Sequence, residues 1–175
     1  DDQAVTFTLS RELMSLRFAR LHRRILLSVP FMLLVACQSG TDPGAPSNPA
    51  TDTFAPSLGV NIAQMTKISD ALYIQDLVVG NGVTTAATGR NVSVTYTGWL
   101  PDGTQFDSNV GKTPLNFMLG AGLVIQGWEL GILGMRAGGK RRLVIGSAMG
   151  YGAGGNGAIR PNTTIVFDVQ LLSVQ

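Results

Sequence analysis

From Cys37 onward the chain has no histidine and a single thiol, so few of its side chains can do chemistry. Neither a Ser-His-Asp nor a Cys-His arrangement can be built. A Cys/His zinc site and a disulfide are equally excluded. The carboxylates are scattered, without paired-acid or calcium-loop spacing. What remains is aromatic: Tyr96, the adjacent Phe106-Asp107, Trp128, Tyr151 and Phe167, with apolar Val124 and Ile125 just ahead of the tryptophan. Trp128 falls at a helix start whose free backbone N–H groups need partners, next to glycines that leave open space. That combination suits noncovalent binding of an apolar group better than a closed core.

These residues need elements to hold them. Val92, Val94 and Tyr96 alternate with Ser93, Thr95 and Thr97, the period of a half-buried strand. Pro101-Asp102-Gly103 supplies a turn, and Gln105-Phe106-Asp107 returns, so the segment from Val92 to Ser108 is expected to be a hairpin. Further strands are expected over Ala71 to Val79, Leu115 to Met118, Lys140 to Ile145 and Thr163 to Ser173. One short helix is expected from Ile125 to Gly134, with Ile125, Trp128 and Ile132 on one face. The fold class is α+β, a twisted antiparallel sheet of five to six strands wrapped around that helix. Lys140-Arg141-Arg142 is expected to be a solvated strip or edge protection.

The first 36 residues differ in kind. They hold Arg11, Arg17, Arg20, Arg23 and Arg24, the sole histidine His22, and no glycine. Arginines precede the apolar run from Ile25 to Ala36, which is shorter than the roughly 20 residues a bilayer span needs and suits a secretory signal with its start at Met14. Residues 1 to 13 read as an upstream extension. The ending Leu34-Val35-Ala36-Cys37 resembles the lipobox of bacterial lipoproteins, which makes Cys37 the expected lipidation site. Gln38 and Ser39 after it fit outer-membrane sorting, so the expected location is the cell envelope, lipid-anchored in the outer membrane and facing the periplasm. Beyond residue 36 basic and acidic residues balance, and no nucleic-acid partner is expected. Residues 37 to 65 read as a lipidated cysteine and flexible tether, because Pro, Ser and Gly dominate from Gln38 to Pro56. Leu58, Val60, Ile62 and Met65 could also dock as an extra segment, and both courses stay open.

Two glycine motifs mislead. Gly134 to Lys140 has P-loop spacing, but Arg141 stands in place of the hydroxyl residue that would hold Mg²⁺. Gly150 to Gly155 satisfies G-x-G-x-x-G, yet the following Asn156 to Pro161 cannot open a helix, which leaves a long irregular loop around Tyr151.

Five segments taken in order resemble the FKBP-type peptidyl-prolyl isomerases over Thr66 to Gln175. They are Val94-Thr95-Tyr96-Thr97-Gly98, Gly103 through Ser108, Val124-Ile125-Gln126-Gly127-Trp128-Glu129, Tyr151-Gly152-Ala153, and Pro161 through Leu172. The resemblance implies an isomerase of X-Pro bonds that needs no cofactor and no metal, acting on proline-containing polypeptides during folding of exported proteins. It also implies affinity for macrolide ligands of the FKBP type and a monomeric domain. By the same resemblance Trp128 is the floor of the pocket, Tyr96, Phe106 and Phe167 its walls, and Leu115, Val124, Ile125 and Ile159 contact substrate. The N–H of Ile125 and the hydroxyl of Tyr151 hold substrate carbonyls, while Asp107 is expected to be partly buried, hydrogen-bonded to tyrosine and not a base. Leu115 stands where some members carry an aromatic, and the loop from Asn109 to Thr113 has no arginine. A proline-binding chaperone or interaction module with little turnover is the alternative.

Overall fold

The computed structural model describes residues 44–175. The signal over residues 1–36, its start at Met14 and the lipidation site Cys37 lie outside the described residues.

Seven strands form one sheet: β1 (Thr66–Ser69), β2 (Leu72–Val78), β3 (Asn91–Trp99), β4 (Gln105–Ser108), β5 (Leu115–Met118), β6 (Lys140–Ile145) and β7 (Ile165–Val174). Every pairing is antiparallel, in the order β1-β2-β6-β7-β3-β4. β5 pairs with the first half of β3 and β4 with its second half. The fold class is the one expected. The strand count rises to seven because β1 adds to the edge of β2 through a bulge at Lys67/Ser69.

The single α-helix among the described residues, α1 (Gln126–Gly131), is shorter than the periodicity suggests. Leu143 and Ile145 of β6 explain why its inner face is glycine. A Cβ at Gly127 would stand 2.5 Å from Cγ2 of Ile145, and one at Gly131 2.8 Å from Cδ2 of Leu143. Glycine thus brings the helix backbone onto the sheet. At its far end, Nη1 of Arg141 donates to the carbonyls of Gly131 and Leu133, each at 2.9 Å, satisfying acceptors that a helix end leaves open.

β6 alternates with period 2 between the sheet's two faces, and its arginines follow that alternation. Arg141 sits with Leu143 and Ile145 on the helix face, bidentate to Asp76 at 2.6 and 3.1 Å. Arg142 sits with Val144 on the opposite face, bidentate to Asp168 at 2.7 and 3.1 Å and donating to the carbonyl of Leu58. The solvated strip expected at these residues is therefore corrected. β6 lies between β2 and β7 rather than at an edge, and Arg141 is only 8% exposed.

The boundary of the tether is corrected too. Residues 44–65 run along the face opposite the helix, with short 3₁₀ turns at Pro56–Leu58 and Ile62–Gln64. Leu58 and Met65 are buried there with Tyr73, Val144 and Val166, flanked by Phe54, Val60, Ile62 and Trp99. The backbone N–H of Ala55 donates to the carbonyl of Pro101 at 2.7 Å, joining this arm to the hairpin turn. Average composition suggested a chain unable to bury apolar surface; the apolar residues are few but fall where the sheet's second face needs cover. Leu58→Ala should therefore cost about 2–4 kcal/mol of unfolding free energy in a denaturant titration. A free tether would leave the midpoint where it is.

Candidate functional site

Tyr96 lies near the middle of β3, Phe167 on the neighbouring β7, and Trp128 on the helix that packs over the same face. Their rings meet edge to face. Tyr96 and Trp128 have centroids 5.0 Å apart at 82°, Trp128 and Phe167 5.1 Å at 87°, and Tyr96 and Phe167 5.9 Å at 69°. Edge-to-face contact places a positive ring edge on a negative face, and each such pair adds about 0.5–1.5 kcal/mol beyond the area buried. The three rings thus hold one another in place.

Over this cluster opens a cavity of about 400 Å³ lined by Tyr96, Asp107, Leu115, Leu123, Val124, Ile125, Trp128, Tyr151 and Phe167. Its size suits a small apolar group. Val124 and Ile125 are held by the start of α1, where the carbonyl of Ile125 accepts from the N–H groups of Trp128 at 2.9 Å and Glu129 at 3.2 Å. The carboxylate of Glu129 reaches back to the N–H of Gly120 at 2.5 Å and of Gly122 at 2.9 Å, pinning the loop before the helix. No acceptor among the described residues meets the N–H of Ile125 itself. Trp128 Nε1 is buried and likewise finds no partner among the described residues.

The structure brings together eight of the ten expected pocket residues around this cavity and sets two apart. Phe106 stacks edge to face on Phe167 at 5.4 Å, backing the wall instead of forming it. Ile159 is buried in the core, held by reciprocal backbone hydrogen bonds with Asn156 at 2.9 Å each. Asp107 needs a correction in part. Its Oδ2 accepts from the Tyr96 hydroxyl at 2.7 Å, as expected, but the residue is exposed, because β4 is an edge strand and the carboxylate stands at the cavity mouth. Two residues were missed. Leu123 lines the cavity although 67% exposed, and Phe117 packs against Trp128 at 6.2 Å from β5. The alternation of Phe117 with Asn116 and Met118 was the available signal for the second; none distinguishes Leu123 from an ordinary loop leucine.

Both phenols at the cavity are held in their protonated form. Burial, then the hydrogen bond to Asp107, push the Tyr96 phenol up to about 12. Burial raises Tyr151 as well, against an opposing hydrogen bond from Asn156. Among the described residues no group of three or more His, Cys, Asp or Glu could hold a metal ion. What the arrangement offers is a dry aromatic floor, one phenol tied to a carboxylate, a second phenol, and a backbone donor.

Sheet, helix and cavity define a class of protein: a single-helix antiparallel roll whose concave face holds an apolar, aromatic-floored binding site. A family profile described as FKBP-type peptidyl-prolyl cis-trans isomerase matches residues 82–172, and the chain belongs to that family and is a peptidyl-prolyl cis-trans isomerase. It is similar to an FK506-binding protein of Neisseria meningitidis, 50% identical over 106 residues that make up 59% of this chain and 96% of that one. An Arabidopsis thaliana peptidyl-prolyl cis-trans isomerase, FKBP15-3, is 45% identical over 121 residues, covering 68% of this chain and 85% of the other. Among solved structures, FkpA from Escherichia coli superposes with a TM-score of 0.58 at 39% identity, over 63% of this chain and 51% of that chain.

The raised phenol makes a pH prediction. A tyrosine whose folded pKa exceeds its unfolded value of 10.0 stabilises the fold below that value and loses the contribution as pH rises through the folded value of about 12. Unfolding free energy of the wild type should therefore fall between pH 10 and 12 by more than that of Tyr96→Phe, measured by denaturant titration at each pH.

Proposed function

We propose that the cavity over Trp128 receives the proline ring of an X-Pro segment and favours the twisted amide over the planar one. Rotation about an X-Pro bond meets a barrier of about 18–20 kcal/mol from amide resonance. Lowering it requires no nucleophile and no proton transfer. The twisted amide has lost conjugation and polarity, so an aromatic, water-poor cradle binds it better than the hydrated planar form, which is differential binding of the transition state. The observation carrying this reading is the cavity of about 400 Å³ floored by Trp128 and walled by Tyr96 and Phe167, with two phenols and one carboxylate in its lining.

In this scheme the N–H of Ile125 and the hydroxyl of Tyr151 orient the carbonyls flanking the proline as preorganised donors. Asp107 holds the Tyr96 hydroxyl and so fixes the ring's angle. Leu115, Leu123 and Val124 contact the residue before the proline, with Phe106 and Ile159 supporting from behind. The relatives' name, FK506-binding protein, supports a second use of the same cavity for apolar macrolides, with Leu115 altering the shape of one wall. The substrates are proline-containing segments of exported proteins, whose folding is slowed by isomerisation. The sequence Leu34-Val35-Ala36-Cys37 supports tethering through an acylated Cys37 to the outer membrane, facing the periplasm. The domain acts as a monomer.

The test is cis-to-trans conversion of an X-Pro peptide, with a soluble form that begins before Ser47 so that the arm is retained. Trp128→Ala and Asp107→Val should each lower kcat/KM about tenfold or more, equivalent to at least ~1.4 kcal/mol of transition-state stabilisation. A wild-type rate no faster than the uncatalysed one would leave only a binding module. Separately, Cys37→Ser in the full chain should move the protein from the membrane to the soluble fraction of a bacterial lysate.

A further inference from the structure

The arm precedes the segment that the family profile matches, residues 82–172, yet it grips the loop carrying Tyr151 at both of that loop's ends. At the near end the hydrogen bonding is reciprocal. The backbone N–H of Ser47 donates to Oγ of Ser147 at 2.9 Å, and the backbone N–H of Ser147 donates to Oγ of Ser47 at 2.8 Å. At the far end the Thr164 hydroxyl donates to the same Ser47 Oγ at 2.8 Å. One serine oxygen thus accepts from both ends of the segment 147–164.

With the arm in place Ser147 and Thr164 are each 1% exposed, while Ser47 is half-buried. The approach is built into the sequence. A Cβ at Gly146 would stand 2.8 Å from the carbonyl oxygen of Ser47 and 3.0 Å from Cδ of Pro49, so glycine lets the arm come this close. Just beyond Ser47 the chain turns back, with the N–H of Thr51 donating to the carbonyl of Asn48 at 3.0 Å, which fixes the arm's course.

Between its clamped ends the loop is tied by Ile159, buried in the core, and by the N–H of Asn162 donating to the carbonyl of Gly152 at 2.9 Å, but the stretch around Tyr151 is rich in glycine. Gly150, Gly152, Gly154, Gly155 and Gly157 fall within it, and its regular structure amounts to 3₁₀ turns at Ser147–Met149 and Gly152–Gly154 and one isolated bridge, Asn156 to Ile159. Glycine spends backbone entropy to order, so where the loop sits depends on how firmly its ends are held. Tyr151 follows Ser147 by four residues.

We infer that Ser47 is a positioning residue for the isomerase reaction: by clamping Ser147 to Thr164 it sets the Tyr151 hydroxyl over the cavity. The inference rests on the substrate-orienting role proposed above for Tyr151. Catalytic competence then depends on an arm outside the matched family segment. Undocking of that arm would leave the sheet and the Trp128 floor in place while loosening the loop.

The test uses the full chain carrying Ser47→Ala or Thr164→Val, the latter removing only the loop-end hydroxyl, with Thr164→Ser as the variant that keeps it. Two measurements are made well below melting: kcat and KM on an X-Pro peptide, and amide hydrogen exchange across residues 150–159 against β3 and β7. Ser47→Ala should speed exchange in the loop while the strands stay protected, and lower kcat/KM roughly tenfold, the scale expected when a bound group is misplaced by less than 1 Å. Thr164→Val should shift both readouts the same way, and Thr164→Ser should restore them. In a Tyr151→Phe background Ser47→Ala should add little to the loss of rate. Wild-type exchange in the loop of Ser47→Ala and Thr164→Val, with only a lower melting temperature, overturns the inference and leaves the arm a stabilising strap. A loosened loop with undiminished kcat/KM supports the clamp and overturns the role given to Tyr151.

Discussion

The constraint on which this structure depends is a mismatch between sheet and helix. β7, from Ile165 to Val174, is ten residues long and so runs about 33 Å at 3.3 Å per residue. α1 has six residues and spans only about 9 Å at 1.5 Å per residue. A single short helix cannot cover a seven-stranded sheet, so one end of the concave face is left to loops and aromatic side chains. The cavity lies in that gap. Its floor is rigid because Tyr96, Trp128 and Phe167 brace one another edge to face on elements that are themselves anchored in the core. The opposite face poses the same problem without a helix, and the arm from residue 44 to 65 answers it, which is why Val166 and Asp168 on β7 are buried on that side while Phe167 and Val169 are buried on the other.

Two neighbouring arginines tie these layers together. Because side chains on a strand alternate, Arg141 reaches the helix and Arg142 the arm from adjacent positions of β6. Buried ion pairs contribute little net stability over apolar replacements of the same shape, yet removing one partner of the buried Arg142–Asp168 pair costs about 3–5 kcal/mol; the Asp76 side chain is 43% exposed, and its pair is partly screened by water. Their effect here is therefore one of register. Arg141 can satisfy Asp76 and the carbonyls of Gly131 and Leu133 together only when the helix ends where it does. Arg142 can satisfy Asp168 and the carbonyl of Leu58 together only when the arm is docked.

What the sequence made legible follows from range. The hairpin, the strand alternation and the helix start at Trp128 are local patterns; that Tyr96, Val124, Ile125, Trp128, Tyr151 and Phe167 share a pocket was implied by the resemblance to FKBP-type isomerases, and all six line the cavity. Contacts between distant segments left no such trace. Ser47 meets Ser147 across 100 positions and Thr164 across 117, within a stretch whose proline and serine content signals a tether. Arg141 and Arg142 looked like a surface strip because nothing local says that β6 is flanked by β2 and β7. A motif identifies which residues gather but not which of them face the opening: Phe106 and Ile159 join the same cluster while packing behind the residues that line the cavity. Asp107 was legible as Tyr96's partner, while its exposure depends on β4 being an edge, a property of the sheet's strand order.

The polar groups of the site divide by whether they are already engaged. The Tyr96 hydroxyl is committed to Asp107, and the pair bounds one side of the cavity. The N–H of Ile125 has no acceptor among the described residues, and burial keeps the Tyr151 phenol in its neutral, donating form. Both residues are half-buried beside the cavity, and donors left uncommitted there suit a ligand that presents acceptors beside an apolar ring. A peptide segment centred on proline does so, since its ring has no N–H to compete and its flanking carbonyls lie on either side. The hydrophobic floor then contributes most to the form of that segment whose amide has lost its resonance and its hold on water. In the proposed scheme, selectivity for proline and acceleration of its isomerisation arise from the same division between an aromatic floor and a few uncommitted donors.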